Sequence, residues 1–105
     1  MITVNAFVGR SNRQRLQLLQ DGEPVAPGAI TRAVLRFSTY CLDTAVGNDP
    51  IALVDDATVV ETQIGLLTDL EPVIATGTVT IYDNLAVDGI AWQRVLVNVK
   101  PWETC

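Results

Sequence analysis

Hydrophobic and polar residues alternate along most of this chain with a period of two. The alternation is clearest near the C-terminus, where Gly77-Thr-Val-Thr-Ile-Tyr-Asp83 and Ile90-Ala-Trp-Gln-Arg-Val-Leu-Val-Asn-Val99 flank Asn84-Leu-Ala-Val-Asp-Gly89. β-Branched residues at alternate positions fit a pleated surface, and the Asn, Asp and Gly between them supply turn conformations. Gly77–Pro101 therefore predicts an antiparallel hairpin. In its second strand Ala91, Val95, Val97 and Val99 share the expected core face with Gln93, while Ile90, Trp92, Arg94, Leu96 and Asn98 occupy the other. That other face is too apolar to be merely wetted, so a second layer of this chain or a partner protein is expected to cover it. A bulge would exchange the two faces.

The rest of the chain carries shorter runs of the same kind. Ile2–Val8, with Ile2, Val4 and Ala6 on one face, predicts a strand ended by Gly9. Arg15–Gln20, alternating through Leu16 and Leu18, predicts a second that closes at Asp21-Gly22, and the prolines of Glu23–Gly28 continue the turn because they cannot donate to a ladder. Ala29–Ser38 predicts a strand with Thr31, Ala33, Leu35 and Phe37 inward and Arg32, Val34 and Arg36 outward, a basic stripe on a wet face. Thr39–Pro50 reads as irregular, with Cys41 a small core residue. Ile51–Val54 and Thr58–Gln63 form a hairpin around Asp55-Asp56-Ala57. Ile64–Leu70 is open between one helical turn on Leu66, Leu67 and Leu70 and a loop crossing between sheets.

Seven to eight short strands with turns between them and no long helical pattern predict one all-β domain over residues 1–105. The expected fold is an antiparallel β-sandwich, with an immunoglobulin-like topology the commonest version at about 100 residues and a small β-barrel the alternative. The Cys…Trp…Cys pattern of antibody domains is missing. Val79, Ile81, Val95, Val97, Leu35 and Phe37 are the expected centre of the core.

Composition adds a reason to look for contacts with other molecules. At 49% hydrophobic and 18% charged residues the chain is apolar for its size, and the excess is expected in a thick core and in contacts with other subunits. No run approaches the roughly 20 apolar residues of a membrane span, and the opening residues lack a basic leader. Assembly in a cytosol is expected, with Cys41 and Cys105 as unlinked thiols. Net charge is −5, yet Arg10, Arg13, Arg15, Arg32 and Arg36 precede residue 37, whereas Phe37 to Gln93 holds nine acids and no Lys or Arg. This distribution predicts an electrically two-ended molecule.

Little in the sequence points to catalysis. The chain has no histidine, the usual general base, metal ligand and pH switch, and no Gly-rich phosphate loop or zinc spacing. No catalytic residue, cofactor or metal is expected. Asp55-Asp56 and Asp83…Asp88-Gly89 read as solvated turn residues, because a cation cage needs several convergent oxygens at spacings not matched here. The arginines of Arg10-Ser-Asn-Arg-Gln-Arg15 suit bidentate anion contacts. The acidic total and the lack of interleaved aromatics argue against nucleic acid; protein carboxylates are the expected target, with a merely solvated loop the alternative. Arg10, Arg13 and Arg15, with Trp92, Leu96 and Trp102 supplying apolar area, are the expected interface residues.

The short N-terminal strand, Asp21-Gly-Glu-Pro-Val25, Ile30-Thr-Arg-Ala-Val-Leu-Arg-Phe37, and the closing Gly77–Asp83…Gly89-Ile-Ala-Trp92…Val97-Asn-Val99 together resemble the small immunoglobulin-like modules of tailed-bacteriophage virions. Such modules occur in baseplate, tail and capsid-surface proteins. The resemblance implies a non-enzymatic virion protein, such as a capsid decoration, head–tail connector or tail subunit, assembled in the host cytoplasm. It would bind other virion proteins, and copies of itself, away from any membrane. The alternative is a free-standing module that recognises a protein or carbohydrate surface, for which six aromatic residues are a thin supply.

Overall fold

The C-terminal hairpin forms as its alternation predicts and becomes the centre of the larger of two sheets. The computed structural model describes residues 2–10, 13–20, 22–25, 28, 30–47, 50–67, 70–83 and 89–101. Its strands are β1 (Ile2–Phe7), β2 (Gln14–Gln17), β3 (Leu19–Gln20), β4 (Glu23–Pro24), β5 (Ile30–Phe37), β6 (Tyr40–Asp43), β7 (Ile51–Val54), β8 (Val59–Thr62), β9 (Val73–Asp83) and β10 (Ile90–Lys100), with one 3₁₀ turn at Ile64–Leu66. One sheet runs β1-β10-β9-β5-β6, the second β2-β8-β7, and β3 pairs with β4 as a small ribbon.

Both larger sheets have open edges, so no barrel closes and the fold is an all-β sandwich. Placing β5, β9 and β10 in one layer and β2, β7 and β8 in the other gives the immunoglobulin-like partition of strands. Pairing is antiparallel except for β1, which lies parallel to β10 from Ile2↔Val95 to Phe7↔Lys100. A parallel neighbour needs a long crossover, and most of the chain separates these two strands.

The core is what the inward faces contribute. Val95, Val97 and Val99, Val79 and Ile81, Leu35 and Phe37, and Val4 and Ala6 meet Leu16, Ile51 and Val60 of the smaller sheet, joined by Leu18 just beyond β2 and by Ile64 and Leu70. All six residues expected at its centre are buried. Gly77 lies opposite Phe37, and a side chain there would sit 2.8 Å from the Arg36 carbonyl oxygen and 3.0 Å from Phe37 Cβ. The absent side chain lets β5 approach closely at Arg36 and Phe37; the Phe37 ring packs against Tyr40 at 5.2 Å between centroids.

Four expectations are corrected. Residues 40–43 are a strand, not part of an irregular segment, because Leu42 can oppose Leu35 once Ser38 takes a left-handed turn conformation (φ 51°). With Leu42 inward, Cys41 faces outward as an exposed free thiol instead of packing in the core. Thr31 is also exposed, because a bulge between Ile30 and Arg32 releases it from the inward alternation; its hydroxyl donates to the Tyr82 carbonyl at 3.2 Å. The Ile64–Leu70 segment buries Ile64 and Leu70 and leaves Leu66 exposed, so the 3₁₀ turn docks through its first residue. Asn84–Asp88, Trp102 and Cys105 lie outside the described residues.

The β7–β8 hairpin turns at the predicted place. Asp55, Asp56 and Ala57 all take positive φ (54°, 58° and 64°), and the Thr58 N–H and hydroxyl both donate to the Asp55 carbonyl, at 3.2 and 2.7 Å. Gly28 N–H donates to the Asp56 carbonyl at 2.7 Å, so the turn is fixed from two sides.

Candidate interaction surface

Arg13 and Arg15, expected to reach carboxylates of another protein, pair instead with acids of their own chain, as does Arg32. On the outer side of the smaller sheet, Arg15 sits across from Glu61; its Nε lies 3.0 Å from Glu61 Oε2 and its Nη1 3.4 Å from Asp55 Oδ2. Arg13 Nε reaches the other Glu61 oxygen at 4.0 Å. Arg10 is exposed where the chain leaves β1, its backbone N–H bonded to the Phe7 carbonyl at 3.0 Å. Arg32 pairs with Asp43 across β5 and β6. The halves of the sequence are thus interleaved in space, and the two-ended molecule is not formed. Each pair has its arginine in solvent, where water screens the attraction, so the pairs align strands more than they stabilise them.

The outer face of the five-stranded sheet is built in rows set by strand register. At one end Arg32 donates through Nε to Asp43 Oδ1 at 2.9 Å and through Nη2 to Oδ2, while its guanidinium carbon lies 4.7 Å from the centre of the Tyr82 ring. Ala45 N–H adds a third bond to Asp43 Oδ1 at 2.9 Å. Val34 is on this outer face as expected, yet it is buried between Arg32 and Arg36 on its own strand and Asp43 and Thr80 on the neighbours.

Arg32 holds the Asp43 carboxylate below the usual carboxylate range through its hydrogen bond, working against partial burial and helped by the Ala45 N–H; the same bond raises Arg32. A folded value below the unfolded one of about 3.9 means that this contribution is present at neutral pH and lost as acid titrates Asp43. Asp43→Asn is expected to be less stable than the parent at neutral pH, with a smaller drop in melting temperature between neutral pH and pH about 2. Equal drops in both proteins would show that the pair contributes nothing to folding.

The middle of the face has a different character. One row runs Cys41–Arg36–Thr78–Arg94 across β6, β5, β9 and β10; the next runs Thr76–Leu96–Thr3, and the last Ile74–Asn98–Asn5. Ile74 is 70% exposed and Leu96 half-buried. Among the described residues the ion pairs use Arg13, Arg15 and Arg32, and no carboxylate accepts a bond from Arg36 or Arg94. Arg36 acts on Asp43 only as a weaker, through-space attraction.

Trp92 marks a bulge in β10. The register opposes Ala91 to Thr80 and Gln93 to Val79, so strand parity changes on passing Trp92, which is the exchange of faces a bulge was expected to cause. Its indole N–H donates to the Leu19 carbonyl at 3.0 Å and its ring packs partly on the core, tying the β3–β4 ribbon to the larger sheet. The bulge leaves a hollow of about 350 Å³ lined by Thr78, Trp92, Gln93 and Arg94, at the end of the arginine row.

Of the six residues expected at an interface, Arg13 and Arg15 share Glu61 on one side of the sandwich. Leu96 lies on the opposite outer face, Trp92 is engaged within the chain, and Trp102 is outside the described residues. Arg36, Thr78 and Arg94 were not singled out as a set. Alternation alone placed Arg36 and Arg94 outward, but only the β5–β9 pairing, between strands far apart in sequence, brings them into one row. Among the described residues no three His, Cys, Asp or Glu side chains gather as a metal site would require, and no helix is long and apolar enough to cross a membrane. No protein family, curated protein or solved structure matches the chain.

Proposed function

We propose that this chain is a non-enzymatic structural subunit that acts through protein–protein contacts in a multi-copy assembly, with the virion as the assembly its sequence pattern resembles. The observation that carries this reading is the outer face of the five-stranded sheet, over which no layer of the described residues lies. Ile74 and Leu96 sit there among Thr3, Thr76 and Thr78, beside Arg36 and Arg94, which pair with no carboxylate among the described residues. Short β-branched side chains on a pleated sheet lose little freedom on contact, so such a face suits flat packing against another protein. A carbohydrate platform is less well supplied: Phe37 is buried, Trp92 is tied to Leu19, and Tyr82 is covered by Arg32. Mass spectrometry of particles purified from the producing cells tests the reading. The chain is expected there in many copies per particle, and its recovery only as free protein would overturn the proposal.

A further inference from the structure

We infer that the Arg36–Thr78–Arg94 row is a self-docking site that takes the Asp55-Asp56 turn of a second copy of this chain. The inference rests on the structural-subunit reading and names its contact. Arg36 and Arg94 flank Thr78 in one register row, their backbones two strand spacings apart, about 10 Å. Each guanidinium can bind a carboxylate with two parallel N–H bonds, and the Thr78 hydroxyl between them adds a donor. The complementarity is local: each copy has the same net charge of −5, and the attraction comes from the two carboxylates of the turn meeting the two guanidinium groups of the row.

The β7–β8 turn is the part of that copy with the best fit. It presents two adjacent exposed carboxylates on a backbone already fixed by Thr58 and Gly28, so docking orders little that was loose. Among the described residues the Asp55 carboxylate pairs only with exposed Arg15, at 3.4 Å, a contact weak enough to exchange. Turn and row lie on different sheets, the turn on the smaller and the row on the outside of the larger. A contact between them is therefore heterologous: each copy uses one surface to give and another to receive, and copies add in a chain or ring.

This geometry has a distinctive test with the full-length protein in sedimentation velocity. At low ionic strength, where the Debye length is about 30 Å at 0.01 M, the parent is expected to grow in mass with concentration and to return to monomer as salt rises. Arg36→Ser with Arg94→Ser removes the receiving row and leaves the turn; Asp55→Asn with Asp56→Asn does the reverse, asparagine being tolerant of positive φ. Each double variant alone is expected to stay monomeric at 11.4 kDa, and an equimolar mixture is expected to double in mass and stop, because every pair has one good row and one good turn. A parent that associates while both variants associate equally would overturn this contact and leave the structural role standing. A parent that is monomeric at low salt would overturn the self-docking, and the role itself would fall if particles also lacked the chain.

Discussion

Phe37→Ala is expected to lower stability by about 3–5 kcal/mol, a large part of the roughly 5–15 kcal/mol that holds a domain of this size together. The residue is 2% exposed at the end of β5, opposite Gly77 on β9 and against Tyr40, which begins the next strand. Truncation leaves a void that cannot be filled from the Gly77 side, where there is no side chain to move in, so the cavity adds to the lost transfer energy. The same change loosens the β5–β6 hairpin, since Phe37 and Tyr40 are its last register pair. Urea unfolding gives the number; a Phe37→Ala midpoint equal to the parent's would mean that the inward face of β5 is wrongly assigned.

Gly65→Ala is the second large effect, and its sign is informative. On a short 3₁₀ turn without positive φ, replacing glycine by alanine normally stabilises by about 0.4–1 kcal/mol by restricting the unfolded chain. Here a methyl would run into the carbonyl oxygens of both Phe7 and Arg10, because the turn is pressed against the end of β1 and the Gly9 N–H donates to the Gly65 carbonyl at 2.8 Å. Backbone atoms give way poorly, so a loss of about 2–3 kcal/mol is expected instead. Gly47→Ala, with open space around it, is the control and should change little. A stabilised Gly65→Ala would mean that the crossover from β8 to β9 is not latched to β1.

Local patterning made most of the fold legible. A period of two assigned the faces of β9 and of β10 beyond its bulge, and so the centre of the core, because a residue's face in a strand depends on its immediate neighbours. Three features escaped it for physical reasons. Thr31 and Trp92 sit at bulges, one against a strand far off in sequence and one inside the C-terminal hairpin, and an inserted residue leaves no mark in the alternation that fixes its position. β6 was hidden because its turn uses Ser38 in a left-handed conformation in place of the usual glycine or asparagine. The charge pattern misled in the same way: Arg15 and Glu61 are 46 residues apart and meet only because β2 pairs with β8. The candidate surface was half legible, since Leu96 and the outward arginines were read from alternation, while their assembly into rows belongs to sheet order.

Cys41 offers the most direct test that the outer face of the larger sheet is the working surface. Its thiol is exposed and opposes Arg36 in the arginine row, so it reports on that face without any added probe. Alkylation of Cys41, followed by peptide mass spectrometry that reads Cys105 separately, can be timed in dispersed protein and in the assembled state. Rapid labelling of the dispersed chain and strong protection of Cys41 on assembly are expected. Equal labelling rates in the two states would contradict the assignment of this face.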